Sequence, residues 1–161
     1  MDVLFKVKSA QARFGEDRHS LKINAAGERV RILVVDDHDA FRQFVSSTLQ
    51  ERPNLEVIGE VQDGLEAVLQ AETLQPDLVL LDIGLPKLNG LDAGRQIRQL
   101  APNAQIVFLT QESSADVVQE AFALGARGYV IKVRAGKELL VAIETVLQGK
   151  LFVSNGFDGR R

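Results

Sequence analysis

From Val30 onward the chain alternates short apolar runs with segments whose apolar residues recur at helical spacing, and this alternation narrows the possible folds sharply. The runs are Val30–Val35, Leu55–Val61, Asp77–Leu81, Ala104–Leu109 and Gly128–Ile131. Between or after them lie four stripes: Phe41, Phe44, Val45, Thr48 and Leu49; Leu65, Val68, Leu69 and Glu72 with Leu74; Val117, Val118, Ala121 and Leu124; and Leu139, Leu140, Ile143, Val146 and Leu147. Leu91–Leu100 is a weaker helix candidate, because Gly94 in a helix interior costs about 1 kcal/mol against Ala. Asp63 three residues before Glu66 has the form of a capping box. Gly125 and Gly149 stand where helices would end in a left-handed residue. Parallel strands need crossover connections, and those crossovers are right-handed. Runs such as ILVV and LVLL suit strands buried on both faces. The expectation is a three-layer α/β sandwich: a five-stranded parallel sheet with helices on both sides.

The alternation fills residues 30–150 of 161, enough for one domain and too little outside it for a second of ordinary size. Residues 1–29 lack it: Val3, Phe5 and Val7 alternate like a strand, and the stretch after them is polar and mixed, with Gly15 and Gly27. An N-terminal extension, partly disordered or loosely docked, is expected there, and residues 151–161 (LFVSNGFDGRR) read as a tail. With no cysteine, disulfides, thiolate zinc sites and cysteine nucleophiles are excluded, and a cytoplasmic protein is the simplest expectation. The first 29 residues carry six Lys/Arg and four Asp/Glu, whereas the remainder carry 13 and 18. Nucleic-acid binding rests on clustered Lys and Arg, so an acidic body predicts no direct nucleic-acid partner. No apolar run approaches the roughly 18 residues of a membrane span, and Lys6 and Lys8 interrupt the apolar start; neither anchor nor signal peptide is expected.

In an open parallel sheet, ligands bind beyond the carboxyl ends of the strands, where the strand order reverses. Here the first strand ends in Asp36 and Asp37, the third in Asp82 and the fourth in Thr110, while the fifth leads into Lys132. Three converging carboxylates repel one another unless a cation neutralises them. Oxygen ligands without Cys or a His pair suit a hard ion, and Mg²⁺ takes one or two carboxylates together with water and phosphate oxygens. Taken singly, each group has an ordinary structural explanation: a turn and helix cap for the Asp pair, turn initiation for Asp82, a strand end for Thr110, a solvated surface for Lys132. Four such groups at one sheet edge are better explained together, as a magnesium and phosphoryl site.

With VVDDH at 34–38, LLDIGLPKLNG at 80–90, LT at 109–110 and GARGYVIK at 125–132, residues 30–150 resemble the receiver domain of two-component response regulators. The wording of DIGLP, NG and AGKELL is most similar to the subgroup that usually carries a helix-turn-helix output. The resemblance implies a flavodoxin-like, doubly wound sheet of order 2-1-3-4-5. It also implies that Asp82 is the phosphoacceptor, taking a phosphoryl group from the phosphohistidine of a histidine kinase or phosphotransfer protein, or from a small donor. Asp37 and Asp82 would ligate Mg²⁺, Asp36 would hold a bound water, and the Gly84 carbonyl would complete the protein's share. Thr110 and Lys132 would each engage a phosphoryl oxygen. Tyr129 would follow Thr110 as the switching aromatic, remodelling the surface of the fourth helix, fifth strand and fifth helix for a downstream effector or a second copy. The ordinary alternative for Tyr129 is a half-buried edge aromatic.

Two positions depart from the family's pattern. Gln111 follows Thr110 where receivers usually have a small residue, and Val133 follows Lys132 where they usually have Pro, or Ser in the subgroup. A trans Lys132–Val133 peptide is expected, since cis costs about 2.5 to 4 kcal/mol without proline. Other readings weigh less. A haloacid-dehalogenase-type phosphatase would want a second Asp where Gly84 stands, and Asp36 and Asp37 would repel the phosphate of a flavin cofactor. Only 12 residues follow Gly149, so the chain reads as a stand-alone receiver or as a fragment of a transcriptional regulator.

Overall fold

The computed structural model describes residues 28–154. Its strands are β1 (Val30–Val35), β2 (Leu55–Val61), β3 (Leu78–Leu81), β4 (Gln105–Thr110), β5 (Gly128–Ile131) and β6 (Phe152–Val153). Its helices are α1 (Asp39–Leu49), α2 (Gly64–Leu74), α3 (Gly90–Leu100), α4 (Ala115–Ala123) and α5 (Ala135–Leu147), with a 3₁₀ turn at Lys132–Arg134. All neighbouring strands run parallel, in the order β2-β1-β3-β4-β5-β6.

The period of two along each strand sorts the core into two halves. Leu33, Val35, Val79, Leu81, Ile106 and Phe108 point to one face, where Val68 of α2, Ala93 and Ile97 of α3, and Val118, Ala121 and Phe122 of α4 cover them. Ile32, Val34, Leu78, Leu80, Val107 and Leu109 point to the other, under Val45 and Leu49 of α1 and Leu139, Ala142, Ile143 and Val146 of α5. The ILVV and LVLL runs of β1 and β3 are apolar because both their faces are buried, whereas β2, at the sheet edge, exposes Glu56 and Glu60. The helix punctuation holds as well. Asp63 Oδ1 accepts from the Glu66 amide at 2.8 Å, and Gly125 and Gly149 have φ of 113° and 83°.

Two expectations need correction. The sheet has six strands, not five, and the start of the segment read as a tail forms the sixth. The Phe152 amide donates to the Arg127 carbonyl (3.1 Å) and the Ser154 amide to the Tyr129 carbonyl (2.9 Å), closing the outer edge of β5. Two residues are too few for periodicity to register a strand. On α2, Leu65 and Leu69 are 50% and 62% exposed, and the buried side consists of Gly64, Ala67, Val68 and Ala71. Small residues bring this helix close to its neighbours, so side-chain size misidentified the inward face. Among the described residues no peptide is cis, in keeping with the trans Lys132–Val133 bond. The strand-like Val3–Val7 stretch, the rest of residues 1–27, and Gly156, Gly159 and the terminal arginines lie outside the described residues.

Candidate functional site

The pairing of β1 with β3 aligns Val35 with Leu81, so the next residues along each strand, Asp36 and Asp82, leave the sheet side by side. The Asp82 amide donates to the Val35 carbonyl (3.1 Å), and the Asp36 amide to the Val61 carbonyl (3.1 Å). Both carboxylates are buried, and Asp37 stands partly exposed beside them. One ligand atom each from Asp36, Asp37, His38 and Asp82 fall within 4.8 Å of one another. Lys132 enters from the end of β5, its Nζ 2.7 Å from Asp36 Oδ2 and 3.0 Å from Asp82 Oδ2. Three carboxylates against one ammonium leave a formal surplus of two negative charges, which a divalent cation would balance. Asp37 Oδ1 is buried and accepts no hydrogen bond, an acceptor left for a ligand. This oxygen-rich donor set fits Mg²⁺.

Burial acts to lower the pKa of Lys132, but its hydrogen bonds to Asp36 and Asp82 outweigh that effect and hold the ammonium above the ordinary lysine value. Two neighbours of the site were not foreseen. His38 places Nδ1 3.2 Å from Asp37 Oδ1 and 3.4 Å from Asp36 Oδ1; its place directly after the Asp pair was the available signal. Phe41, assigned only to a helical stripe, sets its ring 4.7 Å from Lys132 Nζ, a cation–π contact no spacing rule would reveal.

The chain after Asp82 is folded tightly. The Gly84 amide donates to Asp82 Oδ1 (3.3 Å), the Gly90 amide to the Ile83 carbonyl (2.7 Å), and the Gly64 amide to the Pro86 carbonyl (3.2 Å). A Cβ on Gly90 would stand 1.9 Å from the Asp82 carbonyl oxygen and 2.6 Å from Ile83 Cα. No rotamer change relieves a clash of backbone with backbone. Gly90→Ala is therefore expected to lose about 3 kcal/mol of stability in urea unfolding. Gly84→Ala, which meets nothing within 4 Å, should change stability by well under about 1 kcal/mol.

Thr110 is the last residue of β4, buried and registered with Ile131, so it emerges next to Lys132. Its Oγ1 accepts from the Glu112 amide (3.3 Å), and Gln111 between them is exposed. Tyr129 is buried rather than a half-exposed edge residue: its ring lies 6.3 Å from that of Phe108, and its hydroxyl donates to the Glu112 carbonyl (2.7 Å). The structure thus ties Tyr129 to the loop after Thr110.

Burial above all, then the charges of Glu112 and Asp82, push the Tyr129 phenol well above its usual range. Because the folded pKa is raised, the neutral phenol's contribution to stability is complete below the unfolded value near 10 and falls as pH rises beyond it. Tyr129 is the sole tyrosine and the chain has no tryptophan, so near-ultraviolet absorbance reports this one group. Alkaline titration should yield phenolate only as the chain unfolds; a reversible titration near pH 10 in the folded protein would contradict the buried placement.

The response regulator receiver domain profile matches residues 32–144, most of the chain. The chain belongs to the response-regulator receiver family. This receiver is 33% identical over 125 residues to the transcriptional regulatory protein DegU of Brevibacillus brevis, covering 78% of the chain and 53% of that protein. It is 32% identical over 127 residues to the nitrate/nitrite response regulator protein NarL of Escherichia coli (strain K12), covering 79% and 59%. The receiver thus spans somewhat over half the length of these relatives. Among solved structures it is similar to a LuxR-family two-component response regulator from Aurantimonas sp. SI85-9A1, with TM-score 0.76 and 35% identity over 81% of this chain and 93% of that one. It is also similar to the response regulator domain of Thermotoga maritima CheB, with TM-score 0.70 and 30% identity over 75% and 98%. These likenesses match the flavodoxin-like receiver fold and the helix-turn-helix-bearing subgroup indicated by the motifs. Among the described residues no helix is long and apolar enough to cross a membrane.

Proposed function

We propose that this receiver is a phosphorelay signalling component that accepts a phosphoryl group on Asp82 in a Mg²⁺-dependent reaction. The observation that carries this reading is the cluster of buried Asp36 and Asp82 with partly exposed Asp37, in which Lys132 bridges the two buried members. The donor is the phosphohistidine of a histidine kinase or phosphotransfer protein, or a small phosphodonor. A carboxylate oxygen of Asp82 attacks phosphorus, the bond to the donor's nitrogen breaks with its electron pair leaving on the imidazole, and an acyl phosphate results. Such transfer asks little of the protein beyond alignment and charge stabilisation. Asp37, Asp82 and the Gly84 carbonyl, with Asp36 acting through a water, would hold Mg²⁺, which would supply positive charge to the phosphoryl oxygens. Lys132 moves from its carboxylate partners to one phosphoryl oxygen, and the Thr110 hydroxyl donates to another. Gln111 stands exposed beside that position and bears on access of donors and of hydrolytic water.

Output passes through the loop that joins Thr110 to Tyr129. When Thr110 is drawn toward a phosphoryl group, the Glu112 carbonyl that receives the Tyr129 hydroxyl moves with it, and the α4/β5/α5 surface changes its affinity for a downstream effector or a second copy. The chain acts in the cytoplasm as a signalling protein, its only chemistry being phosphoryl transfer to itself and hydrolysis of the product, without direct contact to nucleic acid or membrane. A second reading, the receiver portion of a DNA-binding regulator, is favoured by relatives of which this chain covers 53% to 59%. Acetyl phosphate with Mg²⁺ should add one acid-labile, hydroxylamine-sensitive phosphoryl group per chain. Absence of labelling, together with no Mg²⁺ response in a titration, would overturn the reading in favour of a degenerate receiver.

A further inference from the structure

Ser154, directly after β6, is bound to the strand that leads into Lys132. Ser154 is buried, and its amide donates to the Tyr129 carbonyl (2.9 Å). Its hydroxyl accepts from the Ile131 amide (2.8 Å) and donates to Glu138 Oε1 (2.6 Å). Glu138, buried in the first turn of α5, takes Arg134 Nε on its other oxygen at 2.8 Å. A hydroxyl that both accepts and donates fixes two groups at once. Here it fixes β5 one residue before Lys132 and α5 at Glu138, six residues after it, so both sides of the Lys132–Arg134 turn are held by one side chain. Nothing in the phosphoryl chemistry uses these groups.

We propose that Ser154, held by Glu138, is a positioning residue for Lys132, and that β6 is a latch coupled through it to the phosphoryl site. The inference rests on the assignment of Lys132 to a phosphoryl oxygen. When Lys132 leaves Asp36 and Asp82 for that oxygen, the backbone at Ile131 shifts, and the bond from its amide to Ser154 is altered. By linkage, loosening the latch changes the ease with which Lys132 moves.

The test is amide hydrogen exchange on the full chain, with and without beryllofluoride and Mg²⁺, in the wild type, Ser154→Ala and Glu138→Gln. In the wild type, the additions should change exchange in the loop after Thr110 and also at Ile131 and at residues 152–154. In Ser154→Ala the Ile131 amide loses its acceptor and should exchange roughly tenfold faster without additions. The response after Thr110 should persist while that at 152–154 disappears. Glu138→Gln keeps an acceptor oxygen for Ser154 and should keep the coupling. A wild-type response confined to the loop after Thr110 overturns the coupling alone, as does a Ser154→Ala chain whose response matches the wild type. A wild type without any response overturns the phosphoryl-site reading and the coupling with it.

Discussion

Asp82→Asn is expected to abolish labelling by acetyl phosphate and Mg²⁺, while the folded chain and its secondary structure persist. The amide nitrogen that replaces one carboxylate oxygen has no nucleophilic lone pair, and the substitution removes a unit of charge from the proposed cation site. Stability should survive for a geometric reason. Lys132 keeps Asp36 at 2.7 Å, and the new amide oxygen can still accept from Lys132 or from the Gly84 amide. One fewer carboxylate also lessens repulsion within the cluster. Circular dichroism together with phosphoryl labelling separates the outcomes: a folded, unlabelled variant fits, and labelling at the wild-type rate removes Asp82 from the role of acceptor.

Lys132→Ala should separate the phosphoryl group from the metal. Without Lys132, two buried carboxylates lose the ammonium between them, and removal of one member of a buried charge group costs about 3 kcal/mol. Mg²⁺ offsets part of that loss, so added Mg²⁺ should raise the stability of the variant more than that of the wild type. Metal binding should persist or strengthen, since the competing cation is gone. Phosphoryl transfer should fall about a hundredfold, the scale on which one stabilising donor contributes. In the wild type, beryllofluoride should change the fluorescence of Tyr129 through its bond to the Glu112 carbonyl, and in this variant that change should vanish. Thermal unfolding with and without Mg²⁺, read beside the labelling rate, tests all of these. A variant that loses Mg²⁺ binding while keeping the Tyr129 response would reverse the assignment.

The residues that were legible from sequence and those that were not differ in the range of the physics involved. Apolar runs buried on both faces have one common solution, so β1, β3, β4 and β5 could be read from their composition, and β2, at the sheet edge with Glu56 and Glu60 exposed, from its remaining apolar residues. Asp63, Gly125 and Gly149 could be read because a helix cap is a local matter between a residue and its own backbone. Leu65 and Leu69 misled because the inward face of α2 is set by how closely the helix approaches, which favours Ala67 and Ala71 over larger side chains. Strand β6 was missed because its two residues are held by partners around 25 positions earlier in the chain. The ring of Phe41 meets Lys132 across 91 positions, beyond the reach of any periodicity.

The sequence by itself determined the layered α/β architecture and the set of acidic, hydroxyl and basic groups at the strand ends, since both arise from periods and types of residue along the chain. Only the tertiary structure decided how those groups meet. It placed Lys132 between Asp36 and Asp82, left the buried Asp37 Oδ1 without a hydrogen bond, turned the Tyr129 hydroxyl onto the Glu112 carbonyl, and set Ser154 between β5 and α5. Distances of this kind depend on strand register and helix approach, which close-packing of the whole core fixes and no local stretch encodes.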